Sequence, residues 1–240
     1  MLGELVRTYL LRWKRTRAPL GIAVFVGVLC WYDTASQDLA TGAPWWSTVV
    51  FIAAWTGFLV GYDTFERYRA EGSLRLLLLH PVPRATLGGA FLIGGTALGL
   101  GAVIVALGYL IIAGRVQLEV DIALAIPLLL LGSMAFVAYA QALSTLLPRD
   151  TAAIIGVIAL AFGATPAERW VPGGTPALVR ELVQLVWSSM PTSLRLSELM
   201  AHREVLWNGS LFVAYVLAGL AVTAAQLRRS VNLRRRSDDS

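Results

Sequence analysis

Charge is scarce in this chain, and so are the residues that catalysis and metal binding draw on. Only 15% of its 240 residues are charged, while 57% are apolar. A soluble domain carries about 25% charged and about 45–50% apolar residues. Twenty basic and fifteen acidic side chains are too few to coat a water-facing globule of this size, so lipid must supply most of the solvation. Disorder, collagen-like repeats and a soluble multidomain enzyme are excluded. A single cysteine, Cys30, excludes an intrachain disulfide framework and a Cys-rich metal site. The only lysine, Lys14, does not end a glycine-rich phosphate loop, so the chain has no Walker A motif and no means of hydrolysing ATP itself. No Cys/His or Ser/His/Asp arrangement is credible.

What is abundant is apolar length. A helix needs roughly 20 apolar residues to cross a bilayer core. Segments 44–62, 85–113, 122–147 and 205–227 reach that scale without an Asp, Glu, Lys or Arg. Segment 18–32 is shorter, but it follows Lys14, Arg15 and Arg17, whose long side chains extend it by snorkelling. Segment 152–165, stopped by Pro166, is the shortest and is either spanning or re-entrant. With six crossings and the amino terminus inside, fifteen basic residues fall on the cytoplasmic side. Five fall outside: Arg115, Arg169, Arg180, Arg195 and Arg203. This bias favours six spans with both termini cytoplasmic, in an all-α, multi-pass membrane protein forming one domain over residues 1–240. Trp31, Trp45, Trp46, Trp170, Trp187 and Trp207 sit near predicted outer boundaries, where aromatic anchors belong. The first apolar run has no cleavage site of the small-x-small kind and is predicted to stay as a span.

Several informative pieces lie outside the spans. In residues 1–17, Leu2, Leu5, Val6, Tyr9, Leu10 and Trp13 recur at helical spacing opposite Glu4, Arg7, Thr8, Arg12 and Arg15. The pattern predicts an amphipathic interfacial helix, either a basic anchor or a brace for a moving bundle. Loop 63–84 runs from charged and aromatic residues through Gly72-Ser73 to a leucine run closed by Pro81 and Pro83, which stop helix continuation. By contrast, a tight Pro148-Arg149-Asp150 turn joins the fourth and fifth spans, so the cytoplasm meets one structured loop and two tails, the second basic over 228–240. Segment 166–208 is too apolar for a free connector. It predicts two short helices, after Pro176 and over 193–203, dipping into the outer leaflet or capping it. Leu182, Val186, Trp187 and Pro191 would then form an outer gate or cover the bundle top.

No span carries an ionisable residue at its centre, unlike most ion-coupled carriers. His80 and His202 fall on opposite sides, so no metal site is expected. Gln141 and Ser144, near the inner end of the fourth span, are expected to hydrogen-bond between helices, with contact to a substrate as the alternative. Gly94, Gly95 and Gly99, with Ala90, set small-xxx-small pairs on the third span for intrachain packing, a subunit interface or a sliding surface.

The order Glu66 and Glu71, Gly72-Ser73-Leu74, Leu77-Leu78, Pro81, Arg84 resembles the coupling loop of the type-2 ABC exporter permease family. One departure is that Tyr68, Arg69 and Ala70 occupy the usual acidic place and Glu71 abuts the glycine. Tyr62-Asp63 and Met190-Pro191-Thr192 are similar to the membrane subunit of the copper-processing ABC system that serves nitrous-oxide reductase maturation. The resemblance implies six spans, an amino-terminal interfacial helix, and paired outer helices between spans five and six. It also implies a non-catalytic permease subunit in a prokaryotic inner membrane, working as a homodimer or beside a similar permease. A separate ABC ATPase subunit, holding ATP and Mg, would dock on Phe65, Glu66, Arg69, Glu71, Gly72, Ser73, Leu74, Leu77, Leu78, Pro81 and Arg84. The alternative is a mechanotransmitter that uses the same loop to work on an extracytoplasmic partner protein without moving a solute. A lipid-head-group enzyme is disfavoured, since no acidic or histidine cluster sits at an interface. Membrane lipid is an expected partner and nucleic acid is not.

Overall fold

The long helices follow from apolar runs that must satisfy their own backbone polar groups, and the shorter ones from amphipathic spacing. The computed structural model describes residues 2–16, 18–36, 46–70, 77, 82–113, 120–163, 171, 174–188 and 190–238. Among these, nine helices form: α1 (Leu2–Lys14), α2 (Ala18–Ser36), α3 (Trp46–Ala70), α4 (Arg84–Ile112), α5 (Val120–Leu146), α6 (Arg149–Phe162), α7 (Ala177–Ser188), α8 (Ser193–Met200) and α9 (Val205–Asp238). Segments Arg84–Ile112, Ala125–Leu146 and Val205–Arg228 are long and apolar enough to cross a membrane; Pro19–Tyr32, Trp46–Tyr62 and Asp150–Ala161 are apolar but shorter. The exposed faces are themselves apolar, with Ile104, Leu20 and Leu217 each more than half exposed. A surface of that kind suits lipid rather than water.

The centre of the bundle is α5, packed against α3 on one side and α9 on another. The packing is close because glycine faces it from both directions. A Cβ at Gly61 of α3 would stand 2.5 Å from the Val137 carbonyl oxygen, and one at Gly219 of α9 would stand 2.7 Å from that of Ala138. Small residues that let backbones approach are a main source of helix association where no hydrophobic drive separates protein from lipid. Around this contact lie buried Phe58, Leu129, Phe136, Phe212 and Val216. The helix α4 completes the inner group, and α2 joins its outer side by burying Val26 and Cys30 against Ile52, Ala102 and Ala106.

Two elements differ from their predicted extents. First, α3 runs on through 63–70, so the connection to α4 begins at residue 71 rather than 63. The sequence Asp-Thr-Phe-Glu-Arg-Tyr-Arg-Ala contains no Gly or Pro, and Glu, Arg and Ala are good helix formers. Second, α6 has 14 residues, or about 21 Å at 1.5 Å per residue, short of a bilayer core of about 30 Å. Its end is capped instead of extended: the Leu194 N–H at the start of α8 donates to the Gly163 carbonyl at 3.0 Å. Leu196 is fully buried, and a Cβ at Gly132 would meet its side chain at 2.5 Å. Since Gly132 lies about 18 Å along α5, α8 sits within the bundle and fills the depth α6 leaves empty. Residues 228–238, predicted as a basic tail, continue α9 as helix.

The Gly61 and Gly219 contacts give a direct test. Gly61→Ala is expected to lower unfolding free energy in detergent by about 1–3 kcal/mol through forced backbone separation. Gly101→Ala, where nothing lies within 4 Å of the added methyl, is expected to be neutral or stabilising by up to about 1 kcal/mol. Equal effects would show that the close approach is not limiting.

Candidate functional site

The bundle has two ends. At one, α1 meets the end of α3, the start of α4 and Leu227 of α9. The amphipathic pattern of α1 places Tyr9 and Trp13 on its buried face, 1% and 4% exposed, with Arg7, Lys14 and Arg15 outward. Tyr9 lies on Gly94 of α4, where any larger residue would overlap its ring. It also packs on Phe91, centroids 5.7 Å apart, and Phe91 in turn packs on Tyr68 at 4.9 Å. The Arg12 guanidinium stands 4.3 Å over the Tyr68 ring, an attraction that strengthens as the pair is desolvated. Thr16 closes α1 by donating to the Trp13 carbonyl at 2.8 Å. Hence one aromatic knot joins the amphipathic helix to both helices that bracket residues 71–83.

The predicted coupling residues map onto this end unevenly. Leu77 is half-buried and packs against the buried cluster to which Tyr9, Trp13, Tyr68 and Phe91 belong. Arg84 is the first residue of α4, half-buried, directly after Pro83. Phe65, Glu66 and Arg69 belong to the backbone of α3, but their side chains lie outside the described residues, as do Glu71, Gly72, Ser73, Leu74, Leu78 and Pro81 entirely. On α4, Gly95 faces Val137 and Val60, and Gly99 faces Gly57, so both lie against helices of this same chain. The glycines that approach the backbone of another helix most closely, Gly61 and Gly219, are ones the small-residue reading of the third span passes over. Gly57 and Gly61 carry the same four-residue spacing as the α4 pairs, which is the signal that would have found them.

At the other end, Pro191, Thr192 and Ser193 are buried. Thr192 caps α8 by accepting from the Arg195 N–H at 3.3 Å. The Tyr215 hydroxyl of α9 donates to the Met190 carbonyl at 2.9 Å and accepts from Arg195 at 3.2 Å. These bonds fix α8 to the bundle. The helix α7 is different: Leu178, Leu182 and Leu185 are all more than half exposed, and no other described helix packs extensively on it. Leu182 therefore does not share the buried setting of Pro191. The backbones of Val186 and Trp187 belong to α7, and their side chains lie outside the described residues.

Gln141 and Ser144 depart from expectation. The Ser144 hydroxyl donates to the Gln141 carbonyl of its own helix at 2.9 Å. The Gln141 side chain is 1% exposed, and neither of its amide atoms has a partner. Neither residue bonds across helices among the described residues. Among those residues, too, no three His, Cys, Asp or Glu side chains gather closely enough to hold a metal ion.

The Arg12–Tyr68 contact is expected to show a coupling of about 1 kcal/mol in a double-mutant cycle of Arg12→Gln and Tyr68→Leu, read from unfolding in mixed micelles. Strictly additive single effects would mean that the guanidinium and ring do not interact. Comparison of the chain with protein-family models and with curated proteins finds no match.

Proposed function

We propose that the chain is the membrane-spanning permease subunit of an ATP-driven ABC exporter. It crosses a prokaryotic inner membrane six times with both termini cytoplasmic. Two copies form the membrane body, and each docks one separate ATPase through the connection between α3 and α4. The observation that carries this reading is the seat of Leu77: a residue within the coupling-like segment packs against a buried cluster to which α1, α3, α4 and α9 all contribute. A push on that segment is thus delivered to a packed cluster rather than to a free loop.

Such a subunit transmits energy only if the ATPase binds its two conformations with different affinity. The apolar surface and the long apolar helices support the membrane setting. The Gly72-Ser73-Leu74 run and Pro81 support the docking role by their resemblance to coupling loops.

The test is stimulated ATP hydrolysis in the reconstituted complex. Replacing Glu71, or the Gly72-Ser73 pair, is expected to reduce transport-linked hydrolysis several-fold while leaving membrane insertion and α1 protection unchanged. Full stimulation in a variant with residues 71–79 scrambled would overturn the proposal, as would cysteine labelling of position 72 from the extracytoplasmic side. Persistent stimulation only when a secreted partner is present, with no solute moved, would assign the complex to mechanotransmission instead.

A further inference from the structure

The end of the bundle that holds α8 contains a cleft of about 330 Å³, lined by Trp46, Ala125, Leu128, Met200, Ala201, His202 and Arg203. That volume is at the lower end of small-molecule sites, about 300–1,000 Å³. The floor is apolar, with Ala125 and Met200 buried at 5% and 6% exposure. The rim is polar and cationic, because His202 and Arg203 are both exposed. Beyond the rim, α9 begins with Val205, Leu206 and Trp207 at 42%, 90% and 61% exposure. The last lining residue is thus followed directly in the chain by an exposed apolar stretch ending in an indole, a residue enriched where a protein meets the edge of a bilayer.

The backbone at the rim is unusual. Helix α8 ends in a reciprocal pair of bonds: the Arg203 N–H donates to the Glu198 carbonyl at 2.9 Å, and the His202 N–H to that of Leu199 at 3.1 Å. This motif places the residue after the cap in the left-handed region, where glycine is the usual occupant. Here it is His202, with φ 55°, and Glu204 follows at φ 48°. A side chain in that region is strained, and such strain concentrates where the side chain serves a ligand. The Asn208 amide, itself 2% exposed, donates to the Arg203 carbonyl at 3.4 Å and helps hold the strained turn. Glu204, although close in sequence, does not line the cleft.

We propose that this cleft holds one anionic glycerophospholipid from the adjacent leaflet as a resident lipid. An acyl chain lies on Leu128 and Met200, and the phosphate meets Arg203 and the His202 ring. A guanidinium suits a phosphate through paired, charge-assisted hydrogen bonds. An apolar floor beneath a cationic rim selects a molecule with both parts, and the continuous apolar surface of α9 makes the bilayer its source. The site depends on the membrane reading of the helices and not on ATPase docking at the other end, so failure of the coupling test would leave it standing.

The test is native mass spectrometry of the full chain in detergent, titrated with phosphatidylglycerol or phosphatidylcholine of equal chain length. Preferential retention of one phosphatidylglycerol is expected. Arg203→Ala should weaken it about tenfold or more, the loss expected for a charged hydrogen-bonded pair, and Arg203→Lys should restore part of it. Ala201→Phe, which extends a ring into the cleft from its wall, should abolish retention. His202→Gly separates the roles: it should raise the melting temperature by relieving the left-handed strain while weakening retention. Equal retention of both lipids, or no change in Arg203→Ala and His202→Gly, would overturn the proposal. Comparable binding of soluble glycerol phosphate would also overturn it, by assigning the site to a free phosphate.

Discussion

The fold turns on the place where the backbone of α5 is approached from both sides by glycine. At Val137 and Ala138, carbonyl oxygens that would otherwise be covered by side chains instead face Gly61 and Gly219 at distances that leave no room for a methyl group. In lipid, apolar side chains gain little by leaving their solvent, so association rests on contact area and close packing. Three helices locked at one level give the bundle a rigid centre. Large residues around that level, such as Phe58, Phe136 and Phe212, fill the space that divergence of the helix ends would open.

Away from this centre, the two ends are built differently. At one, α1 is fastened by rings: Tyr9, Phe91 and Tyr68 in series, with Arg12 over the last. Aromatic contacts combine large buried area with a tolerance of several tilts, which suits a junction where helices of different directions meet. At the other end, α8 is held by directional bonds: Leu194 to Gly163, Tyr215 to Met190, and Arg195 to Tyr215. Backbone that turns within the bundle has polar groups to satisfy, and these bonds satisfy them. The short α6 and the inserted α8 are thus one unit, each completing the depth that the other lacks.

Much of this was legible in residue order. The long uncharged runs, the helical spacing of Leu2, Val6, Tyr9 and Trp13, and the short helices after Pro176 and Pro191 all lie where apolar length, periodicity and proline put them. Other features were not. Residues 63–70 read as a loop because their charge breaks the apolar run, yet charge does not stop a helix that has left the bilayer core. The role of Gly61 was hidden because a spacing shows that a helix offers a notch, not which helix enters it. Gln141 and Ser144 looked suited to bonding across helices, but Ser144 turns back to its own helix at 2.9 Å. A hydroxyl in a helix always has a local carbonyl within reach, whereas a partner on another helix depends on rotation.

The sequence by itself pointed to lipid as the solvent and located the long apolar helices, since burial of apolar length and internal satisfaction of peptide groups are local requirements. Tertiary structure alone decided which faces meet, that α8 enters the bundle to the level of Gly132, and that Met200 and Arg203 share a cleft with Trp46 and Leu128. Those outcomes depend on distances between residues far apart in the chain, which are set by packing the whole bundle and are encoded in no single segment of it.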